Sequence, residues 1–267
     1  METKSIDNII IIGAGNVATH LSKAFLKANK KILQVISKTT ESAKELASIC
    51  NCSYTNNLQD IKAGADLYLI AASDKAIKEI ASAFPHKGSL TVHTSGSMPM
   101  ELLKSTGSNY GIFYPLQTFT KDIPLNYDNI PFCLEASSEE KLEKLKKLAG
   151  EISNNLYEIN YEQRQMLHVA AVFACNFTNH MYSIANNILQ KDKLSFEILR
   201  PLIEETAKKV KSSYPNEVQT GPAVRNDKET IDKHMEKLNM FEDYQKIYTF
   251  ITESIQKEID SKKRDNN

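Results

Sequence analysis

Residues 8–21 read NIIIIGAGNVATHL. The β-branched run from Asn8 to Ile12 reads as a buried strand. It ends on Gly13-Ala14-Gly15, and Val17 to Ala28 follow as a helix with Val17, Leu21, Ala24, Phe25 and Ala28 on one face. The spacing Gly13-x-Gly15-x-x-Ala18 has a physical reading. A tight turn needs Gly13, close approach of a pyrophosphate needs Gly15, and Ala18 lets the helix pack near the strand. The helix start then offers free N–H groups and a positive dipole end to phosphates. Gly13, Ala14, Gly15, Asn16 and Val17 are therefore candidate dinucleotide contacts. A glycine turn without any ligand is the competing reading of this string.

Working outward, Ile32–Ile36 reads as a second strand. It is followed by Ser37-Lys38-Thr39 and a helix from about Thr40 to Ser48, with Ser42 and Glu45 spaced as a capping box. A site for NAD usually places an acid at the end of this strand, against the ribose hydroxyls. The first acid here is Glu41, already inside the helix. A cation between hydroxyl donors suits a 2′-phosphate, so Ser37, Lys38 and Thr39 point to NADP(H) over NAD(H). The alternative is that these residues only cap the helix. Further strands are expected at 52–54, 66–71, 89–93, 109–113, 130–135 and 155–159. A helix starts at Ser73-Asp74 and another spans 138–149, with Leu142, Leu145 and Leu148 facing in. Ala72, Ser73, Thr94, Ser95 and Gly96 follow two of these strands, where open α/β sheets bind ligands, and join the candidate cofactor contacts. Asp74 reads as a helix cap.

Strands alternating with helices mean a mostly parallel sheet covered on both faces. The pattern stops near Ile159. Beyond Tyr161 only helices are expected, at 161–189, 194–211, 227–238 and 241–257, with a frayed charged tail at 261–267. The expected organisation is an α/β domain over 1–159 and an all-α domain over 160–267.

Composition narrows the function. Lys+Arg and Asp+Glu are both 33, so the formal net charge is zero, which argues against electrostatic capture of nucleic acid or acidic membranes. Residues 1–7 lack an apolar signal core and no apolar run reaches membrane-spanning length. The expectation is a cytoplasmic protein without membrane partners. The four cysteines include no Cys-x-x-Cys pair, so no metal site is expected. Glycine is scarce, at nine residues, which gives each a greater chance of a backbone role.

Helix 161–189 carries a second constellation: Arg164, His168, Cys175, Asn176 and Asn179 amid apolar residues. At 100° per residue, Cys175 and Asn179 lie about 20° either side of His168, Arg164 about 40° away and Asn176 about 80° away. Buried polar groups need partners, and a substrate is one. Satisfaction by helix carbonyls or neighbouring side chains is the other reading. Histidine is the side chain suited to proton exchange near neutral pH, and His168 is the candidate proton donor or acceptor. Asn176 is the candidate for orienting substrate. Arg225, in the Gly-Pro loop of Gln219 to Asp227, is the candidate for holding an anionic group. An ordinary connection with a solvated Arg225 is the alternative.

Together, GAGNVATHL (13–21), HTSGS (93–97), YPLQTF (114–119), HVAAVFACN (168–176) and TGPAVRND (220–227) resemble one bacterial family. Its members couple a Rossmann-like NADP-binding domain to a helical domain of unknown function, and are described as NADP oxidoreductases. The wider group it resembles includes pyrroline-5-carboxylate reductases and β-hydroxyacid dehydrogenases. That resemblance implies a helical domain of the 6-phosphogluconate dehydrogenase C-terminal type, a homodimer through it, and a nicotinamide site closed by it. The sequence departs from β-hydroxyacid dehydrogenases in having no Lys between Glu151 and Gln190. No substrate is inherited from either group. The expected function is an NADP(H)-dependent oxidoreductase acting on a small carbonyl, imine or alcohol held between the domains. A non-catalytic NADP(H)-binding sensor, motivated by the missing Lys, is the alternative from another class. A purely structural protein is the third.

Overall fold

A computed structural model describes residues 5–265. Its sheet contains β1 (Asn8–Ile12), β2 (Lys31–Ile36), β3 (Ser53–Thr55), β4 (Leu67–Ile70), β5 (Thr91–His93), β6 (Tyr110–Pro115), β7 (Phe132–Ala136) and β8 (Leu156–Glu158). The spatial order is β3-β2-β1-β4-β5-β6-β7-β8. Adjacent strands are parallel except β6 and β7. The chain steps outward from β1 to β3, then returns to β4 on the other side of β1. At that switch point the loops beyond the strands part and leave a crevice.

Strand periodicity explains the double-sided core. Successive side chains point to opposite faces. Ile9, Ile11, Leu67 and Leu69 therefore enter one cluster, and Ile10, Ile12, Tyr68 and Ile70 the other. All eight are fully buried or nearly so. Burying each such aliphatic side chain contributes roughly 1.5–3 kcal/mol. The helices α1 (Asn16–Lys27), α2 (Thr40–Cys50) and α4 (Glu139–Gly150) cover the first face through Leu21, Phe25, Leu46, Leu145 and Leu148. The helix α3 (Asp74–Ser82) and a 3-10 segment, Met100–Thr106, cover the second through Ile77, Ala81 and Leu103. Leu142 is partly buried against the first cluster.

The helix α5 (Tyr161–Ala171) follows β8 and starts at a capping box formed by Asn160 and Gln163. Its Leu167 packs on Ile112, Tyr114 and Cys133. The chain divides into two compact units after Asn176. The second unit, from Phe177, contains α6 (Thr178–Lys191), α7 (Arg200–Ser212), α8 (Lys228–Lys237) and α9 (Glu242–Asp265), with a 3-10 turn at Phe196–Leu199. No strand occurs in it among the described residues.

Several expectations need correction. The cap of α2 is Thr39, whose hydroxyl accepts from the Ser42 N–H, so Ser42 and Glu45 form no capping box. Asp74 is not the cap of α3: Ser73 occupies that position. The helix expected over 161–189 is broken by a π-helical stretch, Val172–Phe177. Its wider turns, bonded i to i+5, rotate later residues out of 100° register with His168. The tail expected to fray is helical to Asp265, and residues 266–267 lie outside those described, as do residues 1–4 of the leader reading. No helix among the described residues is long and apolar enough to cross a membrane.

Candidate functional site

Over the carboxyl ends of the strands, in the first unit, lies a cavity of about 920 Å³. Its rim begins at the β1–α1 turn. Gly13 has φ +123°, a conformation that L side chains rarely adopt. A Cβ there would also stand 2.0 Å from the Ala71 carbonyl oxygen. The turn is held down by the Gly13 N–H, which donates to the Ile36 carbonyl at 2.7 Å.

Two residues on, the situation reverses. A Cβ on Gly15 would meet nothing within 4 Å. Gly15 is the N-cap of α1, no side chain caps that end, and its first turn holds no acid. Free N–H groups and a positive dipole end therefore face open space, which suits a diphosphate. Gly13, Gly15, Asn16 and Val17 all line the cavity. The residues present thus fit a dinucleotide.

The end of β2 contributes Ser37 and Lys38 to the same cavity. The Ser37 N–H is already engaged with the Thr55 carbonyl, which leaves its hydroxyl for other partners. Lys38 is exposed and makes no ion pair among the described residues. Ile36, Asn56, Leu58, Ala76 and Ile80 continue the wall.

Beyond β4 and β5 the cavity is lined by Ala72, Ser73, Thr94, Ser95 and Gly96. Asp74 stitches these loops together. Its carboxylate accepts from the Ser95 hydroxyl at 2.8 Å and from the Ser97 hydroxyl at 2.5 Å. The Ser95 oxygen in turn accepts from the N–H groups of Ser97 and Met98. His93, wholly buried below, accepts the Ser95 N–H at Nδ1 and faces the Pro99 carbonyl with Nε2, 3.3 Å away. Those two contacts fit the neutral Nε2–H imidazole. Burial lowers its pKa from 6.5 to about 4, Arg164 adding to the effect, against opposing contributions from the Pro99 carbonyl and Asp74.

At the far end, the Tyr114 hydroxyl and His168 Nδ1 lie 3.2 Å apart, and both residues line the cavity. Burial, with Cys133 adding, pushes the Tyr114 phenol up to about 12, against an opposing pull from Arg164. One turn before His168, Arg164 is fully buried. It forms an ion pair with Glu135 and donates to the Met98 carbonyl at 2.7 Å. Its guanidinium also sits over the Tyr161 ring, 5.6 Å from the centroid.

A sequence and structural relative accompanies this geometry. The crystal structure of the “putative NADP oxidoreductase BF3122 from Bacteroides fragilis” matches at 42% sequence identity and TM-score 0.89, covering 94% of this chain and 98% of that one. The chain belongs to this NADP oxidoreductase family. Within the oxidoreductase, residues 8–95 match the family model described as NADP oxidoreductase coenzyme F420-dependent, and residues 130–255 match a domain of unknown function, DUF2520. Protein TM1727 from Thermotoga maritima shares the fold at 22% identity and TM-score 0.73, covering 96% of this chain and 99% of that one. An imine reductase from Myxococcus stipitatus, solved in complex with NADP+, shares it at 14% identity and TM-score 0.66, covering 95% and 93%. No curated protein matches the oxidoreductase by sequence.

Not every residue singled out from the sequence of this oxidoreductase lines the cavity. Ala14 and Thr39 do not, and the Thr39 hydroxyl caps α2. Asn176 and Cys175 are exposed. Arg225, in the second unit, is exposed beside Asp227, whose carboxylate caps α8 by accepting from the Thr230 N–H. Sequence reasoning did not place Tyr114, Asp74, Ser97 or Asn56 at the cavity. For Tyr114 a signal existed: it opens the YPLQTF segment at the end of β6.

Proposed function

We propose that the protein is an NADP(H)-dependent oxidoreductase acting on a small carbonyl, imine or alcohol. The observation that carries this reading is one continuous cavity, running from the uncapped N-terminus of α1 to the imidazole of His168. When bound, the dinucleotide supplies or accepts a hydride. The N–H groups at the start of α1 hold its diphosphate. Ser37 and Lys38 take the 2′-phosphate, supported by the lack of any carboxylate at the end of β2. The loops carrying Ala72, Ser73, Thr94, Ser95 and Gly96 flank the nicotinamide half. His168 exchanges a proton with the substrate. Asn176 and Arg225 enter on sequence grounds alone, Asn176 to orient substrate and Arg225 to hold an anionic group.

The test is turnover of NADPH by purified protein against a panel of keto acids and imino acids. Activity of His168→Ala within about twofold of wild type would overturn the proton-transfer role. Tight NADPH binding with no turnover on a broad panel would replace the enzyme by a cofactor sensor. We also propose a cytoplasmic homodimer, to be checked by light scattering.

A further inference from the structure

Gly96 is the starting point. A Cβ at this position would stand 2.8 Å from His168 Nδ1, 2.8 Å from Tyr114 Cζ and 2.9 Å from Tyr114 Oη. Any larger residue would displace the tyrosine, the histidine or both. The glycine thus admits the 3.2 Å contact between Oη and Nδ1. The two rings meet edge to face, 6.3 Å between centroids and 67° between planes. Tyr114 belongs to β6 and is 9% exposed, so its hydroxyl has little access to water. Among the described residues the hydroxyl has no other hydrogen-bond partner than His168.

From these contacts we infer that Tyr114 is a positioning residue, which holds neutral His168 as the Nε2–H tautomer and makes it a hydrogen-bond donor to the cavity. The argument is one of proton accounting. A buried phenol keeps its proton, and a buried donor left unpaired costs about 1–3 kcal/mol. Among the described residues the acceptor offered to it is Nδ1. A neutral imidazole with Nδ1 accepting carries its proton on Nε2. That nitrogen makes no hydrogen bond to protein among the described residues, while His168 lines the cavity. The group it meets must therefore be an acceptor, a carbonyl oxygen or a neutral imine nitrogen. A protonated iminium does not fit, because its N–H has no lone pair to offer. The ring is held for this task from below. Arg164, one turn earlier in α5, is locked to Glu135 and to the Met98 carbonyl in the loop that carries Gly96.

The choice of substrate atom rests on the reading of His168 as the proton-exchanging group, a transfer that balances when Nδ1 takes the Tyr114 proton as Nε2 gives up its own, since a neutral imidazole alone would be left as imidazolate. The tautomer itself does not, and is measured on the protein alone. Imidazole nitrogen shifts are recorded by long-range ¹H–¹⁵N NMR at a pH where the histidines are neutral. The six histidines are sorted by the signal lost in His168→Gln. The expected result is a bare Nδ1 and a protonated Nε2 for His168, with that pattern lost in Tyr114→Phe while the remaining histidines are unmoved. A wild-type His168 protonated on Nδ1 would overturn the inference. So would an unchanged pattern in Tyr114→Phe. If that variant does not fold, the wild-type spectrum decides alone. Absent turnover on every substrate with the Nε2–H tautomer present would instead count against the enzymatic reading and leave this one standing.

Discussion

Arg164 of α5 and Glu135 of β7 form an ion pair in which the arginine side chain is wholly shielded from solvent and the glutamate is 18% exposed. Among the described residues Arg164 Nε has no hydrogen-bond partner, so the guanidinium is balanced by Glu135, the Met98 carbonyl and the face of Tyr161. Removing one partner of such a pair strands the other charge, at a cost of about 3–5 kcal/mol. Arg164→Met should lower unfolding free energy by that order in urea. Adding Glu135→Leu should recover most of the loss, since an apolar pair of similar volume is often as stable. A single-variant loss below about 1 kcal/mol would show that solvent reaches the pair.

The two glycines of the first turn should behave oppositely. Gly13→Ala combines a positive φ with backbone overlap at Ala71, and should destabilise the fold by about 3 kcal/mol. Gly15→Ala meets no protein atom within 4 Å. It should stay within about 1 kcal/mol of wild-type stability. Its added methyl instead occupies the approach of the phosphates, so NADPH affinity should fall about tenfold or more. Thermal melts paired with cofactor titration separate the two effects.

Lys38→Ala should weaken NADPH by about tenfold and leave NADH almost unchanged, because one charge-assisted contact to a phosphate is lost. The difference should shrink with added salt, since Lys38 is exposed. Equal weakening of both cofactors, measured by fluorescence titration, would exclude the 2′-phosphate contact.

His93 makes stability depend on pH. Its pKa is 6.5 in the ordinary case and about 4 in the fold, chiefly through burial. Between these values the unfolded chain binds more protons than the folded one. Stability attributable to His93 is therefore complete above about pH 6.5 and is lost as pH falls to about 4, by roughly 3 kcal/mol. Protonation also has to break the Ser95 N–H contact to Nδ1. Urea melts from pH 4 to 7 should show this slope, and His93→Gln should flatten it. An identical slope in the variant would assign the effect to other groups.

How much of this was legible in the sequence depended on range. β1 was read at its observed limits and α1 within one residue, because an apolar run meeting Gly-Ala-Gly is a local signal. The mostly parallel sheet followed from the alternation of strands with helices. What escaped was non-local or silent in composition. Tyr114 and His168 are 54 positions apart, and Asp74 reaches serines 21 and 23 residues on. No spacing rule connects them. The π-helical stretch VFACNF contains neither Pro nor Gly, so nothing interrupts the helical pattern there. The Thr39 cap was one of two readings open for Ser37, Lys38 and Thr39, and local spacing did not choose between them.

The reversal of β7 against β6 sets a mechanical ruler. Glu135 pairs with Ile112, and Cys133 with Tyr114 two positions further along β6. Travelling from Ile112 to Tyr114 covers about 6.6 Å of strand. Travelling from Arg164 to His168 covers about 6 Å of helix. One helical step and one strand repeat therefore agree closely, and anchoring the first rung delivers the second. This match makes the four-residue interval itself a fixed dimension of the machine: inserting one residue between the rungs would turn the imidazole by about 100° and take it off Tyr114, however well the rest of the protein folded.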